Sequence, residues 1–198
     1  DESFHAYLRV IEINPTHSSI YGIVTRFLRE SDPSKLNNSK LKKILNILLD
    51  RNDVPHKELF KAFKFIYRNK IISSLKRSDS EFSKIKLLNN RIILNALKKI
   101  IFADQKLEDI LTKLRRNICE RIAKNEEIIN DSELLILIAL GEQCFFNEYV
   151  YSFTCEEEIS INTIKNRCID GEINEINISI LSCYFPLYKL LDQIPSLK

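Results

Sequence analysis

The sequence predicts an all-α chain of about ten helices joined by short loops, packed as a helical repeat or an orthogonal bundle. Two observations lead there. Apolar residues recur at three- and four-residue spacing along nearly the whole chain, and no convincing run alternates at period two. Only 3 of the 198 residues are Gly, too few for the turn-rich loops of most sandwiches and barrels.

The elements follow in order. Residues 3–13 read as a helix stopped by Pro15. Ser19–Glu30 carries Ile20, Ile23, Val24, Phe27 and Leu28 on one stripe, and Ser31-Asp32-Pro33-Ser34 breaks it. Ser39–Asp50 carries Leu41, Ile44, Leu45, Leu48 and Leu49. Asp53-Val54-Pro55 opens a fourth helix, with Leu59, Phe60, Phe63, Ile66 and Tyr67 on its apolar side, expected to end near Asn69. Arg77–Glu81 is polar and loop-like. Phe82–Leu88, Asn90–Ile101 and Lys106–Lys124 follow as helices, the last with Leu107, Ile110, Leu111, Leu114, Ile118 and Ile122 as its buried stripe. Asp131-Ser132 caps a helix expected to reach Tyr151. Thr154 and Glu157 have the spacing of a capping box at the head of a helix to about Arg167. Asn174 caps another to Tyr184, and Pro186 restarts a short one to Leu191.

Composition bounds the rest. A globular chain of this length buries about 70% of its unfolded surface, so it needs no disulfide or metal staple. The five Cys are odd in number and widely spaced, without a C-x-x-C pair. They read as free thiols of a reducing compartment, which predicts a cytoplasmic protein. The three His (His5, His17, His56) read as solvated or capping residues. No apolar run approaches the roughly 18 residues of a membrane helix, so no membrane partner is expected. There is no Met, even at position 1. That predicts either a segment of a longer chain or methionines absent from the sequence as written.

Charge is segregated. Residues 1–130 hold 26 Lys/Arg against 16 Asp/Glu, and residues 131–198 hold 4 against 11. The asymmetry divides the chain into an opening region (1–30), a basic helical region (31–130) and an acidic helical region (131–198), and it implies contact with a charged surface.

Gly22, Gly141 and Gly171 build no G-x-G-x-x-G, G-x-G or G-x-x-x-x-G-K-[ST] loop, the device by which backbone N–H groups approach a nucleotide or S-adenosylmethionine. H-E-x-x-H and G-x-S-x-G are absent as well. No catalytic, cofactor-binding or metal-binding residue is therefore assigned. The basic spread from Lys40 to Arg116, with Phe60, Phe63 and Tyr67 among it, has the ingredients of a nucleic-acid surface. Those aromatic residues fall at helical spacing, however, as a core stripe does. Nucleic acid is not the expected partner on this reading. The acidic run Glu156-Glu157-Glu158 reads as a complement to a helix dipole.

Gln143, Asn147 and Glu148 stand among Phe145, Phe146, Tyr149 and Tyr151 at the end of an otherwise apolar helix. Gln143 and Asn147, four apart, share a face, and amides kept beside aromatics imply a hydrogen-bond network or a contact with a partner. Gln143, Asn147, Glu148, Tyr149 and Tyr151 are the candidate site residues. Their phrase, Gln143–Tyr151 with Thr154–Glu158, and a second at Cys183–Leu190, resemble a helical region in bacterial proteins that join tetratricopeptide repeats to a C-terminal class I S-adenosylmethionine-dependent methyltransferase domain. Leu107–Arg116 is similar to that region too. Ser3, Tyr7, Val10 and Pro15 resemble the second half of a tetratricopeptide repeat.

The resemblance implies a repeat tail over residues 1–30 leading into the helical region, with a catalytic domain beginning after Lys198. It implies no cofactor in this segment, S-adenosylmethionine belonging to the parent protein. The segment is then a non-catalytic scaffold whose partner is a protein or an adjacent domain of the same chain. A free-standing protein–protein adaptor is the alternative, and a nucleic-acid-binding helical module the second. The last requires steeply salt-dependent retention on nucleic acid. The prediction is no retention on a single-stranded DNA column at about 50 mM salt, because the aromatics among the basic residues belong to the core.

Overall fold

The computed structural model describes residues 2–77, 87–126 and 130–193. The described residues form ten α-helices and no strand: α1 (Glu2–Ile13), α2 (Ser18–Glu30), α3 (Asn38–Asp50), α4 (Phe60–Arg77), α5 (Arg91–Lys99), α6 (Gln105–Ala123), α7 (Asp131–Phe146), α8 (Cys155–Ile169), α9 (Glu175–Ser182) and α10 (Leu187–Gln193). Short 3₁₀ turns at Pro33–Lys35 and His56–Leu59 lead into α3 and α4.

Most starts are fixed by an oxygen-bearing side chain that accepts a backbone N–H of the first turn, which the helix leaves unpaired. Asn37 accepts from Ser39 and Lys40, Asn90 from Ile92, Asp104 from Leu107 and Asn174 from Asn177. Two starts are complete capping boxes, Asn130 with Glu133 and Thr154 with Glu157. The cap of α7 is thus Asn130, one residue before the expected Asp131.

The helices stack by alternation. From α2 to α7, each helix packs on the next but one. One row runs α3–α5–α7–α9 and the other α2–α4–α6–α8, with cross-contacts between rows at α3–α4, α6–α7, α6–α9 and α8–α9. A single apolar core extends from Phe4 on α1 to Leu190 on α10 and passes through the basic and acidic regions alike. The all-α expectation holds. Buried on both sides, α7 is apolar around most of its circumference because α5 flanks it on one side and α9 on the other.

The fourth helix begins as the 3₁₀ turn at His56–Leu59 and turns α-helical only at Phe60, and the two largest differences from the sequence reading lie at helix ends. Helix α4 continues past Asn69 to Arg77, because Ile71, Ile72 and Leu75 carry its apolar stripe onward and no breaker intervenes. Arg77 is therefore helical, not the start of a loop. The helix expected at Phe82–Leu88 lies mostly outside the described residues, and Leu87 and Leu88 sit in a turn. Helix α7 stops at Phe146, five residues short of Tyr151, for a reason that belongs to the site.

On α1 the buried residues are Phe4, Leu8 and Ile11. Phe4 and Tyr7 meet Phe27 of α2 at ring distances of 5.8 and 5.5 Å. Ser3 and Val10, two positions of the half-repeat pattern, face solvent.

Helices α7 and α9 touch almost backbone to backbone at Gly141. A Cβ built there falls 2.3 Å from the Ser182 Oγ, which donates to the Ser179 carbonyl at 2.7 Å. Gly141→Ala displaces that hydroxyl while gaining helix propensity, so it should change stability by less than about 1 kcal/mol. Gly141→Leu finds no space by a side-chain rotation and should cost about 3 kcal/mol in a urea titration.

Candidate functional site

Where α6, α8 and α9 meet, a carboxylate is buried among cations. Glu157, in the first turn of α8, is fully buried. Its Oε2 completes the capping box by accepting the Thr154 N–H at 3.0 Å and lies 3.2 Å from the Arg116 Nε. Its Oε1 accepts the Tyr184 hydroxyl at 2.9 Å and the Arg115 Nη2 at 3.3 Å. The Arg115 guanidinium also lies over the Tyr184 ring, 4.4 Å from its centroid. Burial pushes the Glu157 carboxyl upward, but the Thr154 N–H, Tyr184, Arg115 and Arg116 outweigh it and hold its pKa below the ordinary value. Burial, aided by Glu157, raises the Tyr184 phenol, against Arg115. The Nε atoms of Arg115 and Arg116 are buried with no hydrogen bond aligned to them.

The five sequence-nominated residues gather beside this cluster, on the last turn of α7 and the loop after it. Gln143 is buried, and with its amide nitrogen turned toward the end of α5 it donates to the Leu97 and Ile100 carbonyls at 2.9 and 3.0 Å. It thereby satisfies carbonyls that α5 leaves open. The other arm of the amide lies 3.5 Å from the Asn147 side chain. Asn147 is the C-cap, its N–H donating to the Gln143 and Phe145 carbonyls.

Glu148 and Tyr149 then take φ of 53° and 56°, two successive non-glycine residues in the left-handed region. That double turn ends α7. It sends the Tyr149 N–H back to the Cys144 carbonyl at 3.0 Å and the Tyr149 hydroxyl across to the Ser182 carbonyl at 3.3 Å. Burial raises the Tyr149 phenol to about 12. Tyr151 faces Glu108 of α6 across a small cavity, and burial, then that acidic neighbour, raises its pKa. Gln143, Asn147 and Tyr151 face a cavity of about 20 Å³ shared with Glu108, Thr112, Arg115 and Cys144. That is room for about one water molecule.

The opposite side of the same turn is open. Phe145, Phe146, Glu148, Tyr149, Tyr184 and Tyr188 are among the residues around a groove of about 570 Å³. Phe145 is 58% exposed, Tyr188 63%, and Val150, Phe153 and Leu187 at its margin are also exposed. Glu148 and Tyr149 thus belong to the groove, and Gln143, Asn147 and Tyr151 to the internal cavity.

A second charge cluster lies at the head of α6. Asp104, its N-cap, accepts the Leu107 N–H at 3.1 Å and pairs with Lys64 and Arg68 at 2.7 and 2.8 Å. Its burial opposes ionisation, yet Arg68, Lys64 and the Leu107 N–H hold its carboxyl far below the usual carboxylate range. The aromatics among the basic residues are core members: Phe63 packs on Tyr67 at 5.3 Å and on Phe102 at 5.1 Å, and Phe60 on Phe102 at 5.8 Å. Among the described residues, no three His, Cys, Asp or Glu converge on a metal position.

Arg115, Tyr184 and Cys144 escaped nomination from sequence. Arg115 sits four residues after Leu111 and three before Ile118, squarely on the buried stripe of α6. That position is the signal that could have found it. No family model, curated protein or solved structure matches this chain.

Two predictions follow from the turn and the Asp104 cluster. Glu148→Gly should raise stability by about 0.5–1 kcal/mol in a urea titration, because it relieves a left-handed φ at an exposed position. Asp104→Asn should cost about 2–4 kcal/mol at neutral pH. The folded pKa of Asp104 lies below the unfolded one, so its contribution is present above the unfolded value, about 3.9, and fades as pH falls through the folded value. The variant should therefore lose part of the acid limb of the stability–pH profile.

Proposed function

We propose that this chain is a non-catalytic interaction and scaffolding segment of a larger protein related to the tetratricopeptide-repeat methyltransferases, and that its aromatic groove seats an adjacent domain of the same protein. The groove carries the reading. It gathers exposed Phe145, Phe146 and Tyr188 beside a turn held in an unfavourable backbone conformation, and contiguous exposed apolar surface of this kind marks an interaction site. Strain at an exposed turn points the same way.

Charge argues for the occupant. The acidic region carries a net −7, and Glu142, Glu148, Glu156 and Glu158 are exposed on it. A basic surface bearing apolar anchors complements that rim. The exposed Ser3 and Val10 side of α1 suits a helix that continues a repeat array upstream. In this reading S-adenosylmethionine belongs to the parent protein. The present chain contributes no cofactor ligand, and its buried charges serve to fix the groove.

The test begins with the reading frame on both sides of the segment. The proposal expects it to continue past residue 198 into a strand–glycine-loop–helix unit. In that longer protein, amide hydrogen exchange at Phe145–Tyr151 should be slowed relative to the isolated chain. Phe145→Ser with Tyr188→Ser should abolish the difference, and salt should weaken it. A frame that stops near residue 198, or equal exchange in the two proteins, overturns the reading in favour of a free-standing adaptor.

A further inference from the structure

The groove at the end of α7 is walled by aromatic rings. The end of α7 and the turn after it contribute Phe145, Phe146 and Tyr149, and the stretch leading from α9 into α10 contributes Tyr184, Phe185 and Tyr188. Apart from Pro186, the apolar lining is aromatic. Phe145 meets Phe146 edge to face at 6.2 Å, and Phe153 meets Tyr184 and Phe185 in the same way at 6.1 and 6.4 Å. Among the described residues, no ring of the first set packs on a ring of the second. The two sets leave a gap between them instead of filling it. A ring face is the negative end of the aromatic quadrupole, so a gap between such rings favours a cation. Glu148 also lines the gap and makes no ion pair among the described residues. Its turn is tied down by Tyr149, whose N–H and hydroxyl donate to the Cys144 and Ser182 carbonyls. Exposed Glu142, one turn before Phe145 and Phe146 on α7, has its ion-pair partner Lys98 4.0 Å away.

Given that the groove is a docking surface, we propose that its anchor is an arginine side chain presented by a basic peptide segment of the docked protein. The guanidinium enters between the two sets of rings and pairs with Glu148, and the arginine methylenes cover ring surface on the way in. The chain itself shows which cation suits its rings. The Arg51 and Arg115 guanidiniums lie 3.7 and 4.4 Å from the Tyr21 and Tyr184 ring centroids. The Lys64 and Lys70 ammonium groups stand 5.9 and 5.7 Å from those of Phe60 and Tyr67. A guanidinium is planar, stacks flat on a ring and sheds water more readily than an ammonium, and its fork matches a carboxylate. At about 570 Å³ the groove is larger than one side chain, so residues flanking the arginine find room as well. The net −7 of the acidic region favours basic flanks. Among the described residues Lys189 is the one cation of the lining. It repels the incoming charge, which places the guanidinium at the Glu148 end.

The test is an NMR titration of the chain with end-capped peptides Gly-Gly-X-Gly-Gly, where X is arginine, lysine, citrulline or leucine. Citrulline keeps the shape of arginine without its charge. Amide shifts should move at Phe145–Tyr149 and Tyr184–Lys189. The arginine peptide should bind at least about tenfold tighter than the citrulline and leucine peptides, and about threefold tighter than the lysine peptide. Phe145→Leu stays apolar but loses the ring, and Glu148→Gln loses the charge; each should weaken arginine binding about fivefold, and Lys189→Gln should strengthen it about twofold. All three positions are exposed, so these variants keep the fold. No shift at about 10 mM arginine peptide overturns the proposal, as does a lysine, citrulline or leucine peptide that binds equally well. Arginine binding that ignores both Phe145→Leu and Glu148→Gln overturns it too. Such a failure leaves domain docking standing if exchange at Phe145–Tyr151 is still slowed in the longer protein. Equal exchange with the arginine selectivity intact removes the adjacent domain as occupant and keeps the arginine site.

Discussion

The structure turns on one buried carboxylate. Glu157 begins α8, closes its capping box, and takes its remaining hydrogen bond and charge partners from two other elements, Arg115 and Arg116 of α6 and Tyr184 after α9. A lone ionised carboxylate at that depth is strongly disfavoured, and one with four partners is not. The same contacts that satisfy Glu157 therefore fix how three helices meet. Tyr184 lies beneath the Arg115 guanidinium and also forms part of the groove floor. Moving the ion pair would move the groove.

The partners divide the labour between rigidity and access. Gln143 closes the end of α5, and Tyr149 ties the turn after α7 to the Cys144 and Ser182 carbonyls. These ties hold the turn at Glu148 and Tyr149 in a backbone conformation that the two residues would not choose alone. On the far side of that turn Phe145 and Phe146 remain uncovered. An anchored base beneath uncovered aromatics is what a preorganised docking surface requires, since little ordering remains to be done on binding.

Much of the fold was legible in the sequence, and the particulars show why. The stripes of α3 and α6, the capping box at Thr154 and the cap at Asn174 are local signals, and the helices begin where those signals place them. The end of α7 was not legible: no glycine announces the turn at Glu148 and Tyr149, which is imposed by bonds to Cys144 and Ser182. Gln143, Asn147, Glu148, Tyr149 and Tyr151 do lie together, but they face two different spaces, a division that helical spacing does not reveal. Glu157 reads from sequence as a helix-dipole complement. Its buried partners come from 42 residues upstream and 27 downstream, a distance no local pattern spans.

The most direct test of this account is a double-mutant cycle on Arg115 and Glu157, measured by urea unfolding at neutral pH. Arg115→Leu and Glu157→Leu should each cost about 3–5 kcal/mol, because each takes a charged partner from a buried charge. The double variant should recover at least about 2 kcal/mol of the summed loss. Single-variant costs below about 1 kcal/mol that simply add would contradict the claim that this pair fixes the meeting of α6, α8 and α9.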